Sequence, residues 1–445
     1  MRGRAEPPSR RVRGRGGRRR RARRPARVRA QAGGRPALSA RLDAAIAELA
    51  GFNDDPAAGG ITREVYTPTY AAALDWVSDR MRDAGLEVRL DAVGNLFGRW
   101  EGSERSAPRL LTGSHVDTTL NAGRYDGVLG VLGAIEAVEL LRDAGVRPRR
   151  SIEVVAWAGE EPRFGTGCVG SRMAAGELAR ADLDRLRDRE GTSMAQAMRG
   201  AGFDPDRLDD ARIDPAEIHA LVELHIEQGA VLEAHGQSIG VVSAIAAPHD
   251  VRLTLRGAAT HAGATPMGLR RDALAGAAEA MVALERAARE SPSGTTVATV
   301  GVVRVRPGAI NVVPGEVELD VDVRDSDLDA REQVVAAIVD GAREVAERRG
   351  LELEVTPIVE DVPVACDERI VEAAEAACRE LGLSYRRMTS GAYHDAMIMG
   401  RRVPIGMVFV PSVGGISHHP DELTAPDDLD RGVRVLAGTL ARLAA

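Results

Sequence analysis

Residues 109–161 read RLLTGSHVDTTLNAGRYDGVLGVLGAIEAVELLRDAGVRPRRSIEVVAWAGEE. Arg109–Thr112 is a short strand that runs directly into His115-Val116-Asp117. Val128–Leu141 is apolar at helical spacing, and the pattern stops at Gly145. Ser151–Ala158 is a near-continuous apolar run of the kind buried on both faces of a sheet, and it ends at Glu160-Glu161. Strand, helix and strand in this order predict an α/β sheet. The polar residues fall at strand C-termini, where open α/β sheets place their sites.

Upstream, helices are expected around Leu42–Leu49 and over Ala71–Ala84, before Gly85. Leu86–Leu90 and Leu96–Trp100 alternate as strands do. Downstream, a second pattern begins near Ala246. Val251–Leu255 alternates, Arg271–Arg289 is helical, Thr296–Val305 is a strand, and Glu316–Arg324 alternates strictly. Ala330–Arg349 is helical again and Leu351–Ile358 alternates. The resulting β-α-β-β-α-β order is ferredoxin-like. From Asp361 the α/β pattern resumes. A chain of 445 residues exceeds one typical core. The expectation is that residues 38–245 and 361–445 form one domain, with 246–360 inserted through two hinge connections.

Residues 1–37 hold fifteen Arg and a single acid, Glu6, so the net charge of −7 leaves the remaining chain near −21 by difference. This Arg-, Gly-, Pro- and Ala-rich segment lacks the apolar residues needed to order itself, and is expected to be a disordered tail. A polyanion-binding arm or a targeting peptide are the other readings. The acidic body argues against a nucleic-acid-binding enzyme. Lys is absent from the chain. Cys168, Cys366 and Cys378 are odd in number and widely spaced, which suits a reduced cytoplasm better than a disulfide framework. No apolar run approaches the ~18 residues of a membrane span.

Five short segments carry the chemistry. His115 and Asp117, two apart at a strand end, point the same way, so the carboxylate can take the second imidazole N–H. Asp126 follows Asn121-Ala122-Gly123 and precedes a helix. It reads at least as well as a helix N-cap as it does as a carboxylate bridging two cations. Glu160 and Glu161 repel each other unless a cation is near; one suits metal binding and the other a general base. His225 lies in the apolar strand Leu221-Val222-Glu223-Leu224, where a core histidine is the simpler reading. Ser417-His418-His419-Pro420 follows Gly414-Gly415 in a turn-rich segment. Two or three histidines with several carboxylates on separate strand ends and loops are what a hydrolytic site with two divalent metals requires. Zinc, manganese, cobalt or nickel would accept such donors.

In chain order, the motifs GSHVDT, GRYDGVLGVLGAIE, GEEPRFG with GSR after it, ELHIEQG, THAGATPM, PGAINVVPG, DVRD, HDAM and GISHHPDE resemble those of the M20-type metallo-amidohydrolases. The likeness is to the hydantoinase/carbamoylase branch, over roughly residues 40–445. It implies a metal-dependent exopeptidase-like catalytic domain with an inserted ferredoxin-like lid and dimerisation domain. Its implied ligands are His115, Asp126 and His225 for one ion and Asp126, Glu161 and His418 for a second. It further implies that Asp117 orients His115 and that Glu160 is the general base. His261 would reach a neighbouring subunit's site to stabilise the oxyanion. Asn311 and Arg324 would hold the substrate carboxylate, with Gln228 and His394 lining the pocket. The implied reaction is cleavage of a carbamoyl or ureido C–N bond in a small acid, an N-carbamoyl-L-amino acid first, in a cytoplasmic homodimer.

Ureidoglycolate and allantoate are the alternative substrates. Ala392-Tyr393-His394-Asp395 and Ile245-Ala246-Ala247-Pro248 resemble the ureidoglycolate type, whereas residues 261–267 resemble the carbamoylase and allantoate type. A non-catalytic metal-binding relative is a further alternative. It would be signalled by loss of the base or a ligand, and both are present.

Overall fold

The computed structural model describes residues 37–445, so the expectations for the Arg-rich segment up to residue 36 lie outside the described residues. The run quoted first folds as strand Arg109–His115, helix Val128–Asp143 and strand Ile152–Trp157. The two strands pair in parallel, with Leu110 opposite Ile152 and His115 opposite Trp157. Ile218–Ile226 pairs in parallel with Arg109–His115, and Ile405–Val410 in turn with Ile218–Ile226. Four parallel strands thus form the centre of a nine-stranded sheet. Leu96–Trp100 runs antiparallel beside Ile152–Trp157, with Glu87–Leu90 outside it. On the other side Ile239–Ile245 runs antiparallel to Ile405–Val410 and also pairs with Val364–Ala365 and Tyr385–Ser390.

Every residue of Ile152–Trp157 is buried, because helices cover both faces of the sheet. Val128–Asp143 packs on one face together with Pro426–Leu443 and Leu38–Ala50. Gly130 lets that helix sit directly on the strands: a Cβ there would lie 2.5 Å from the Leu224 carbonyl oxygen. The short helix Asp395–Met399, with Val169–Ala175 against it, covers the opposite face. Between residues 159 and 217 the chain forms the short helices Val169–Ala175, Arg180–Arg185 and Met194–Gly200 in place of long regular elements.

A second sheet has four antiparallel strands in the order Glu352–Glu360, Ala247–Arg256, Glu316–Asp325, Val297–Arg306. Helices Ala273–Arg289 and Leu328–Arg349 pack together on it. In chain order these elements are β-α-β-β-α-β. Val317, Leu319, Val321 and Val323 point into this core while the residues between them are half-buried. The first strand begins at Ala247, earlier than the alternation alone suggests, because Ala247 and Pro248 pair with Asp325 and Arg324. The two hydrophobic cores share no residue. Among the described residues, no helix is long and apolar enough to cross a membrane.

Candidate active site

The C-terminal ends of the central strands converge on one cavity. His115 is the last residue of its strand and His225 lies one residue from the end of the next. Their ring centroids are 6.1 Å apart. Asp126 reaches between them from the loop before Val128–Asp143. Its neighbour Gly127 is left-handed at φ 65°, and a Cβ there would meet the His115 ring at 2.4 Å. Only glycine permits that approach.

The Asp126 oxygens face different partners. Oδ1 lies 3.4 Å from His115 Nε2 and 3.2 Å from His225 Nε2. Oδ2 lies 3.1 Å from His418 Nε2 and accepts from Gln228 Nε2 at 2.7 Å. Glu161 Oε1 is 3.5 Å from His418 Nε2. His115, Asp126 and His225 form one set with donor atoms within 4.8 Å of one another; Asp126, Glu161 and His418 form another.

The imidazoles are oriented from behind. His115 Nδ1 is 3.1 Å from the Asp117 carbonyl oxygen, and His225 Nδ1 is 2.9 Å from that of Ile226. With Nδ1 directed at a carbonyl, each imidazole presents Nε2 to Asp126 Oδ1, where a bound cation would replace the proton the two atoms otherwise share. Burial works to raise the Asp126 pKa, yet hydrogen bonds to His115, His225 and His418 hold it well below the usual range. Burial pushes Glu161 up to about 7, with Asp126 beside it adding to the shift. Burial also pushes Glu160 well above its ordinary value. The hydrogen bond to Asp126 lifts His418 to about 9. Three carboxylates and three imidazoles, most of them buried and His418 at the exposed rim, fit divalent cations in chemistry and in arrangement.

The Asp117 carboxylate accepts from the backbone N–H of Glu160 at 3.2 Å and of Glu161 at 3.0 Å. It lies 3.5 Å from His115 Nδ1, farther than its own carbonyl, so it fixes the Glu160-Glu161 turn as much as the imidazole. Glu160 Oε1 accepts from the Cys168 thiol at 3.6 Å, and Oε2 is 3.8 Å from His115 Nε2. Cys168, Gln228 and His418 all hold positive φ without being glycine, a strain characteristic of functional sites.

Asp126, Glu160, Glu161, His225, Gln228, Arg324 and His418 line a cavity of about 410 Å³. Arg324 comes from the second sheet. Asp322 grips its Nε and Nη2, and its Nη1 donates to the Gly391 carbonyl oxygen at 3.0 Å. Two of the named residues stand apart from this lining within one chain. His394 does not line the cavity: it caps helix Asp395–Met399 from inside, packs edge-on against His225 at 4.6 Å and shares a hydrogen bond with Ser390 Oγ. Ala392 and Tyr393 form that wall instead. Asn311 does not join Arg324. It lies beside the two-stranded antiparallel ribbon of Thr260–His261 and Val312–Val313, and neither it nor His261 lines this cavity.

Glu422 was not singled out from the sequence. It is buried and accepts from the backbone N–H of Tyr125 at 2.8 Å and of Asp126 at 3.1 Å, so it holds the Asp126 loop. Its only signal is its place at the end of the GISHHPDE string. Glu223, also buried, accepts from Ser114 Oγ and from the Ala396 N–H beneath the site. It forms a third close group with His225 and His394, whose polar atoms are already partnered within the protein.

Residues 111–442 match the profile of peptidase family M20/M25/M40. The chain belongs to this family. The M20 chain is 45% identical to an N-carbamoyl-L-amino acid amidohydrolase of Geobacillus stearothermophilus, covering 91% of this chain and 98% of that one. It is 43% identical to a ureidoglycolate hydrolase of Arabidopsis thaliana, covering 92% and 86%. Among solved structures, a hydantoinase/carbamoylase family amidase from Burkholderia multivorans superimposes with a TM-score of 0.83 at 36% identity, covering 91% and 98%. This M20 chain is a hydrolase of amide C–N bonds from a metal-dependent family, and its relatives are amidohydrolases.

Proposed function

We propose that this chain hydrolyses the C–N bond of a carbamoyl or ureido group on a small carboxylic acid, an N-carbamoyl-L-amino acid first. The observation that carries the reading is the division of the Asp126 oxygens between two donor sets in the cavity that also holds Glu160 and Arg324. His115, Asp126 and His225 would hold one divalent ion, and Asp126, Glu161 and His418 a second. Such ions supply Lewis acidity toward the scissile carbonyl and ease the ionisation of water.

The protein's own groups do the rest. Glu160 takes a proton from the attacking water and returns it to the leaving nitrogen. The Cys168 thiol occupies its Oε1, which leaves Oε2 for that transfer. Gln228 holds a buried Oε1 beside Asp126 that has no partner among the described residues, an acceptor suited to a substrate N–H. Arg324, pre-aimed by Asp322, keeps an N–H on each terminal nitrogen for the substrate carboxylate. His261 and Asn311, exposed at their two-stranded ribbon, would serve the cavity of a second copy in a homodimer.

Ureidoglycolate is the second reading. It is favoured by Tyr393, whose side chain takes up space in the wall next to Ala392, and by the likeness to the Arabidopsis protein. The test is to reconstitute the protein with zinc or manganese, offer N-carbamoyl-L-amino acids, ureidoglycolate and allantoate, and follow ammonia release. Release from none of them by metal-loaded protein refutes the reading. Release from ureidoglycolate alone selects the second.

A further inference from the structure

Asp361 stands where the chain leaves the small sheet for the large one, and each unit holds it by a different part. Its main chain is held from the small side. Its N–H donates to the Pro248 carbonyl oxygen at 3.1 Å, and its own carbonyl accepts from Arg331 Nη1 at 2.6 Å. Arg331, fully buried on helix Leu328–Arg349, also donates to the carbonyls of Ala247 at 3.0 Å and Pro248 at 3.2 Å. One guanidinium therefore pins both crossovers. The Asp361 side chain faces the large unit. Oδ2 accepts from the Tyr393 hydroxyl at 2.8 Å and lies 3.7 Å from Arg172 Nη2, while Oδ1 accepts from Arg401. Asp361, Tyr393 and Arg172 all line the cavity that contains Glu160.

We infer that Asp361 is a positioning residue that sets the Tyr393 ring and the Arg172 guanidinium in the cavity wall according to how the small unit sits on the large one. The inference rests on this cavity being the site of the amide hydrolysis proposed above. A carboxylate that accepts from a hydroxyl and from the Arg401 guanidinium is held by directional, charge-assisted bonds, and it attracts Arg172 as an ion pair. Its backbone is clamped by Arg331, so a rotation of the small unit must either carry the wall with it or break those bonds. An ordinary structural ion pair would add stability and leave substrate fit alone.

The experiment uses the full, metal-loaded chain with Asp361→Asn, which removes the charge at constant size, and Tyr393→Phe, which removes only the hydroxyl. For the ureido acid that the wild type turns over fastest, each variant should lower kcat/KM about tenfold, mainly through KM, the size of one hydrogen bond to a charged group. The double variant should be no worse than the poorer single one, because both changes break one device. Amide hydrogen exchange should quicken at Ala246 and Asp361, whose N–H groups bond Ser390 and Pro248, and stay unchanged in helix Pro426–Leu443. Unaltered KM with unaltered exchange in Tyr393→Phe overturns the inference, as do strictly additive losses in the double variant. Should Asp361→Asn fail to fold, Tyr393→Phe decides alone. Should the wild type turn over no ureido acid, the functional reading has failed, and hinge exchange by itself judges Asp361.

Discussion

Asp126 shows how much a single side chain can organise: each of its oxygens serves a separate set of partners, and Glu422 fixes its backbone from below. Glu160 is the group whose loss should be purest. Glu160→Gln keeps size and leaves the five proposed ligands untouched. Metal content by elemental analysis should hold while turnover falls about 10²–10⁴-fold; normal turnover removes the base assignment. Arg324→Ala should act on substrate instead, raising KM roughly ten- to a hundredfold for acid substrates, with little effect on neutral amides. At this scale the sequence exposes residues whose setting betrays them. His115, Glu160 and Glu161 end apolar strands, and Asp126 sits between a flexible turn and a glycine. Glu422 is hidden because an acid in a turn-rich segment reads as surface. Asn311 lies apart from Arg324 within one chain, and nothing in the spacing says on which side of the small unit a loop emerges.

The long periodic elements are the legible ones. Helix Val128–Asp143 follows from an apolar stretch of helical length, which is buried on every side from Val128 to Val138, and strand Glu316–Asp325 follows from an alternation that matches its burial from Glu316 to Arg324. The short helices between Val169 and Gly200 are not, because one or two turns carry too few residues to show a period. Helix Asp395–Met399 is of that kind, and it holds a buried acid. Asp395 accepts from Ser171 Oγ at 2.5 Å, its Oδ2 has no partner among the described residues, and burial, with Glu223 nearby, pushes its pKa to about 8. The folded state thus keeps a proton that the unfolded chain, near its ordinary value of 3.8, has released. This group's stability is fully present below that ordinary value and is lost as pH rises toward about 8. Asp395→Asn mimics the protonated acid, so the urea midpoint should fall less steeply over this window than in the wild type. An identical slope would show that Asp395 is already ionised when folded.

Two cores without a shared residue let the molecule respond in parts. All five proposed ligands belong to segments of the large unit, so chelation should lower the melting temperature of that unit and spare the smaller. Ions at a hundredfold excess over Kd stabilise by about 2.7 kcal/mol for one site. Calorimetry with and without chelator checks this; a transition unmoved by chelation contradicts the ligand assignment. The exposed side chain of His261 makes a second prediction. Inactive Glu160→Gln and His261→Ala chains, mixed and allowed to exchange subunits, should recover part of the activity, because a mixed dimer holds one intact cavity. No recovery, or a fully active monomer by light scattering, removes the trans role.

The two crossovers of the small unit run side by side, joined directly by the bond from the Asp361 N–H to the Pro248 carbonyl and clamped together by Arg331. A segment whose ends meet is topologically a cassette. Residues 247–360 should be replaceable by a few linker residues, or by the equivalent cassette of a relative, while the nine-stranded sheet stays connected. Such grafts would let substrate preference be exchanged between amidohydrolases as a module rather than rebuilt one substitution at a time.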